Sequence, residues 1–278
     1  MIQSSYDGKS TLYLVPTPIG NLDDMTYRSV KVLEEVAVIF SEDTRVTLNL
    51  LQFFGIKKKL IALHDHNEDT VRDKVLEYLE NDEDVAIVTD RGTPIISDPG
   101  FKTVEYVSKK GYNVVALPGA TAFVPALITS GIAPEPFMFY GFLNSNDNKR
   151  KKELEELSDN KCTMIFYEAP HRIKKTLDLM LEVFGDRNIS VARELTKKFE
   201  TIYRGKISEL KSIIPEKGEF VIIAEGSSDN NIDESLSMVD AVNLYIKAGI
   251  SVMDAIKRVA KERGIPKGEV YKEYHKGE

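Results

Sequence analysis

The chain has a single cysteine, Cys162, and no tryptophan. A lone thiol excludes an internal disulfide and any thiolate metal cluster. No apolar run approaches the roughly 20 residues of a membrane helix. The first residues, MIQSSYDGKSTLYLV, lack a basic segment followed by an apolar core, so no secretory signal is expected. There is no GxGxxG dinucleotide fingerprint, no GxxxxGKS/T phosphate loop and no GxSxG nucleophile elbow, which removes the usual support for nucleotide redox chemistry, nucleoside triphosphate hydrolysis and esterase chemistry. Net positive charge is missing too. Lys and Arg number 37 against 44 Asp and Glu, leaving −7. That balance argues against nonspecific coating of nucleic acid and leaves room for a local basic face. A cytoplasmic protein without a membrane span is expected.

What is present is a globular composition, 42% apolar and 29% charged over 278 residues, enough for one large or two medium domains. The first half alternates strand-like segments (11–15, 36–40, 60–63, 85–89, 112–117) with helix-like ones (26–35, 44–54, 68–81, 101–110, 120–130). Such alternation implies βαβ units and a mainly parallel sheet. The segment 131–137, GIAPEPF, reads as a linker. Beyond it, strands are expected at 137–142, 163–167, 189–193, 199–203 and 220–224, with helices at 147–157 and 171–184. The strands at 189–193 and 199–203 are too close for a helical crossover and predict an antiparallel pair. A polar linker at 226–235 precedes three short helices, 236–248, 252–263 and 267–275. The expected fold class is α/β: a parallel-sheet domain (1–130), a mixed α/β domain (138–225) and a helical appendage (236–278).

Three loops follow strands in the first half. VPTPIGN (15–21) follows the first, DRGTPIISDPG (90–100) the fourth and LPGATA (117–122) the fifth. In a parallel sheet these ends share one edge, where open α/β sheets bind ligands. Glycines permit close backbone approach and prolines stiffen the path, so the loops suit a flat, polar, nucleoside-like ligand. His64-Asp65-His66 places two imidazoles on one side of an extended chain, with Glu68 and Asp69 nearby. No third ligand has a recognisable spacing, so a hydrogen-bonding role is expected and no metal site. Basic residues cluster at Lys149-Arg150-Lys151-Lys152 and around His171, Arg172, Lys174 and Lys175. Residues 247–278 hold eight Lys and Arg against five Asp and Glu. The bland reading of each run is a solvated helix face.

Nine motifs occur in order over about 12–224: VPTPIGNLDDMTYRSVKVLEEV, SEDTR, HDHNE, TDRGTPIISDPG, LPGATA, GFL, FYEAPHR, ARELTK and GEFVII. Together they resemble the tetrapyrrole-methylase superfamily of S-adenosylmethionine enzymes, and within it the bacterial small-subunit ribosomal RNA 2′-O-ribose methyltransferases, which modify a decoding-centre cytidine. The resemblance implies S-adenosylmethionine in a cleft between two α/β domains, 16S rRNA in the small subunit as partner, and a homodimer. It carries cofactor contacts to Pro18, Ile19, Gly92, Thr93, Pro94, Ile96, Thr121 and Ala122, and from the second domain to Tyr167, Ala192 and Phe220 with their neighbours. Three positions depart from the family pattern. Arg91 replaces a small residue, GFLNSN replaces GFLP-x-K and so lacks its lysine, and LPGATA replaces an LPGPSA-like turn. Lys149, Arg150, Lys151 and Lys152 are the stand-ins for that lysine.

Methylation of a ribose hydroxyl benefits from a base to take its proton. Candidates in SEDTR and YEAPHR are Glu42, Asp43, Glu168 and His171, with Arg45 and Arg172 able to hold adjacent phosphates. Each has a structural alternative: Glu42 with Arg45 at a helix start, Glu168 paired with Arg193, His171 as a cap. Lys257, Arg258 and Lys261, with Arg263, Lys267 and Lys272, are expected to grip phosphates. Two other readings stay open here. One is C-methylation of a uroporphyrinogen- or precorrin-like macrocycle, which VPTPIGN, in place of a GxGPGD-like loop, argues against. The other is a non-catalytic ribosome-assembly binder whose cofactor site Arg91 has spoiled.

Overall fold

The structure is a computed structural model that describes residues 3–5, 7–227, 236–247 and 249–277. It divides into two compact units, one running to Pro125 with Glu194–Glu200 added, the other holding Ala126–Arg193 and the described residues from Thr201 onward. Of the expected linker 226–235, residues 228–235 lie outside the described residues.

In the first unit, β1 (Thr11–Leu14), β2 (Val38–Ser41), β3 (Lys59–Ala62), β4 (Val85–Val88) and β5 (Asn113–Ala116) alternate with α1 (Tyr27–Glu35), α2 (Thr44–Phe53), α3 (Glu68–Glu80) and α4 (Phe101–Lys109). The five strands are all parallel, in the order β3-β2-β4-β1-β5. Register runs Leu12 to Val85 on one side and Leu12 to Val114 on the other. β4 is VAIV and wholly buried. Its alternation splits the core: Ala86 and Val88 join Val32, Leu33 and Leu51 from α1 and α2, whereas Val85 and Ile87 join Val75, Leu79 and Val107 from α3 and α4. Helices therefore cover both faces, as a parallel sheet requires. Thr26 caps α1 through its hydroxyl on the Ser29 N–H, and Asp43 caps α2 on the Arg45 N–H.

The next helix, α5 (Phe123–Thr129), starts three residues later than expected, because 120–122 stay in the loop that follows β5. The second unit carries β6 (Phe137–Phe142), β7 (Thr163–Glu168), β8 (Asn188–Arg193), β9 (Thr201–Lys206) and β10 (Phe220–Ala224) in the order β6-β7-β10-β8-β9. Only β6 and β7 are parallel, joined through α6 (Asp147–Leu157); the rest pair antiparallel, β8 with β9 as expected. One sheet face packs on α7 (Ile173–Phe184) and α8 (Ile207–Ile213) through Phe166, Val191, Ile222, Leu177 and Leu210. Two corrections belong here. β9 begins at Thr201 rather than 199, because 194–200 forms a turn with Glu194 and Thr196 at positive φ. Helix α8, seven residues long, was not expected. The appendage comprises α9 (Met238–Lys247), α10 (Val252–Glu262) and α11 (Lys267–Tyr274), which bury Val242, Ile256, Val259 and Val270 together.

Candidate active site

Because β4, β1 and β5 are neighbours, the loops 15–21, 89–100 and 117–122 leave one edge side by side. They are tied to each other. Thr17 and Gly92 exchange two backbone hydrogen bonds of 2.9 Å. The Thr17 hydroxyl donates to the Thr89 carbonyl (3.1 Å), and the Thr93 hydroxyl to the Ala120 carbonyl (3.0 Å). A Cβ on Gly119 would meet the Pro16 ring at 2.6 Å, so the first and third loops pack directly backbone against ring. Within the shelf, Gly92 and Gly100 have φ of +86° and +118°, and Ile95 and Ser97 also hold positive φ. A β-branched residue there is a strained conformation that only its surroundings can enforce. Pro18, Ile19, Gly92 and Pro94 are buried, Thr93, Thr121 and Ala122 half-buried, and Ile96 and Arg91 exposed. The backbone N–H groups of Thr121 and Ala122 meet no acceptor among the described residues.

Carboxylates gather on the same strand edge. The Thr89 hydroxyl donates to Glu42 Oε2 (3.0 Å), and the Asp43 N–H donates to Asp90 Oδ1 (3.1 Å). Asp43 is committed to Arg45, whose Nε and Nη2 donate to its two oxygens at 3.0 and 2.6 Å; that side-chain pairing brings its carboxyl down to about 2. Arg45 therefore pairs with Asp43, not with Glu42. Burial raises Asp90, and burial first, then the charges of Glu42, Asp90 and Asp65, pushes Asp98 up to about 6 against a hydrogen bond from Thr89. Reasoning from the sequence missed Asp90 and Asp98. Their signal was the presence of acidic residues at both ends of the loop after a buried strand. His64 and His66 face each other at 6.1 Å between ring centroids. Among the described residues no group of three metal-ligating side chains forms.

In the second unit, Tyr167, Val221 and Ala192 lie abreast on β7, β10 and β8 and share one sheet face. A register shift between Phe139 and Gly141 turns Phe142 onto that face too, and Phe139 and Phe142 stand edge-on to Tyr167 at 5.0 and 5.5 Å. Phe220 does not join them. Against expectation its side chain lies on the opposite, core face, and it is Val221, one residue along, that shares the face of Tyr167.

Glu168 is fully buried and fully engaged. It accepts from the Ala169 N–H (2.8 Å), from Arg172 Nε and Nη2 (2.8 and 2.6 Å), and from the Thr176 hydroxyl (2.5 Å). Arg193 instead donates to the Lys217 carbonyl. Glu168 is thus corrected from a base to an anchor, and Arg172 from a phosphate ligand to that anchor's partner. His171 is exposed and caps nothing; the cap position of α7 is Arg172. Arg150 is likewise not an RNA contact. It is 1% exposed, and it donates to the carbonyls of Asn144 and Ser145 and to Thr176 Oγ1. Lys151 pairs with Glu182, Lys257 with Asp254, and Lys261 with Asp159. Lys149 and Lys152 are exposed with no ion pair among the described residues.

The model of the tetrapyrrole (corrin/porphyrin) methylases matches residues 11–211. The chain belongs to this family. A Bacillus subtilis protein named ribosomal RNA small subunit methyltransferase I is 47% identical over 98% of both chains. Proteins of the same name from Halalkalibacterium halodurans and Haemophilus influenzae are 45% and 43% identical over 98% and 94% of both chains. Among solved structures, a diphthine synthase superposes with a TM-score of 0.61 at 13% identity, covering 79% of this chain and 91% of that one. A uroporphyrin-III-C-methyltransferase from Thermus thermophilus gives 0.55 at 16%, covering 77% and 94%. These two share the tetrapyrrole-methylase fold.

The methylases of this family use S-adenosylmethionine. The strand edge of the first unit fits such a group. Its glycines keep the backbone uncovered, its prolines and threonine ties hold the loops still, and Thr121 and Ala122 keep free N–H donors for a polar ligand. Arg91 is exposed, and its charge acts on Asp90.

Proposed function

We propose that the chain transfers a methyl group from S-adenosylmethionine to the ribose 2′-hydroxyl of a cytidine in the decoding centre of 16S rRNA, acting on the small ribosomal subunit in the cytoplasm as a homodimer. The observation that carries this is the 47% identity, end to end, with a protein named for methylating small-subunit ribosomal RNA. The likeness to the uroporphyrin enzyme, at 16% identity, speaks for the fold and not for a macrocycle substrate.

S-adenosylmethionine brings a methyl group already activated on its sulfonium, so the protein's work is proximity, alignment and proton removal. In this reading Pro18, Ile19, Gly92, Thr93, Pro94, Ile96, Thr121 and Ala122, on the strand edge of the first unit, seat the donor. Glu42 is the proton acceptor best placed on the strand edge. One of its oxygens holds the Thr89 hydroxyl, and the other has no partner among the described residues. Exposed His171 is the second candidate. Arg45, pinned by Asp43 yet 87% exposed along its side chain, faces solvent ready for a phosphate.

The test is incubation with labelled S-adenosylmethionine and small subunits from a strain lacking this gene, with free 16S rRNA and uroporphyrinogen in parallel. Label on the 2′-oxygen of one cytidine in subunits is expected. Label on the macrocycle, or on no substrate, would overturn the reading.

A further inference from the structure

The second unit contains a cavity of about 820 Å³, bounded by the C-terminal end of α7, the start of α8, the end of β10 and the helices α9 and α10. Its lining is charged. The four acidic side chains in it are already engaged: Asp159 with Lys261, Asp186 with the Ser208 hydroxyl and N–H, Glu225 with the Asn188 amide, and Glu262 with the Tyr245 hydroxyl. The cations are in a different condition. Arg187 donates to the carbonyls of Phe184, Glu225 and Ser158, and Arg258 to that of Val183, so backbone oxygens and not carboxylates accept their hydrogen bonds. Neither forms an ion pair among the described residues, nor do Lys206 and Lys247 on the same cavity. Arg187 sits close enough to Arg258 that burial, and then the second guanidinium, lower it to about 10. Arg258 spends a single N–H on the protein and keeps the rest of its fork.

Two guanidiniums that repel each other in a partly buried recess, oriented by backbone carbonyls and with no ion pair of their own among the described residues, while nearby Asp159 and Glu225 already hold other groups, are arranged for an anion that accepts several hydrogen bonds at once. We propose that this cavity seats a phosphodiester of the RNA substrate, gripped by Arg187 and Arg258 and flanked by Lys206 and Lys247. The inference rests on the RNA reading above. It shifts the phosphate grip of the appendage away from Lys257 and Lys261, whose charges are paired, to side chains on both walls of the recess.

Binding of small subunits is to be measured across a salt series for the wild type, the double variant Lys206→Gln/Lys247→Gln, and Arg258→Gln, with melting and S-adenosylmethionine affinity as controls. Each lost phosphate contact is expected to weaken subunit binding by roughly 3–10-fold at moderate salt and to lower the slope of log K against log salt by about one, with cofactor affinity unchanged. The two lysines bear no fold-holding contact, so the double variant reads the cavity even if Arg258→Gln melts early. A second readout uses inorganic phosphate against chloride at equal ionic strength: the wild type melts higher in phosphate, and Arg258→Gln loses that gain. Wild-type affinity and slope in the lysine double variant would sink the cavity proposal and leave the RNA reading standing. A wild type that binds no subunits yet is still protected by phosphate would sink the RNA reading and leave an anion seat.

Discussion

Asp98 is the residue whose environment most changes its chemistry. Burial and three neighbouring carboxylates push it up to about 6 from the ordinary 3.8. The folded state then holds its proton more tightly than the unfolded chain, so its contribution makes stability fall as pH rises from about 4 to about 6, with the full cost present above 6. Asp98→Asn is expected to remove that cost, raising stability at pH 7 by about 1–2 kcal/mol after allowance for partial solvent screening, and to leave stability near pH 4 unchanged. Thermal melting at both pH values checks it; an equal shift at both would refute the assignment. Glu168 makes the opposite case. Glu168→Gln leaves Arg172 in a half-closed site without its counter-charge, and roughly 3 kcal/mol of stability should be lost. If Glu168 is the anchor described, kcat per folded molecule drops little. A loss of several orders of magnitude at full folding would restore it as a base. Reading the sequence put both Glu168 and Arg172 among functional candidates, because side-chain type is visible there and burial is not.

At the scale of elements, the loops after β1, β4 and β5 act as one object. Gly119→Ala sets a methyl group against the rigid Pro16 ring at 2.6 Å. Relief requires the first and third loops to part. The expected cost is about 1–3 kcal/mol, with cofactor affinity down roughly tenfold, measured by calorimetry beside melting. Gly111→Ala is the control: its added Cβ meets nothing, so any effect there comes from its positive φ alone. These loops were legible in sequence as three turn-rich segments after apolar runs. The ties between them, Thr17 to Gly92 and Thr93 to Ala120, were not, since they join segments distant in the chain. α8 and the start of β9 escaped for a related reason. The expected strand began at 199, but 194–200 forms a turn bent by two non-glycine residues at positive φ, a conformation that local propensity does not announce.

For the whole molecule, the proposed reading includes a second copy of the chain. Sedimentation of the purified chain is expected to give twice the 31.3 kDa of one copy, and a monomer at micromolar concentration would count against the homodimer. No helix among the described residues is long and apolar enough to cross a membrane. The sequence by itself determined the parallel sheet, the mixed sheet and the appendage, because hydrophobic period and turn residues are local and repeat in order along the chain. It also determined the family, because nine motifs keep their order. Tertiary structure alone decided which charges are spent. Arg150 and Arg172 became internal ties, Phe220 turned into the core while Val221 faced Tyr167, and Asp98 drew close to Glu42. Charge and apolarity are properties of a residue, but burial and partnership belong to the packed chain.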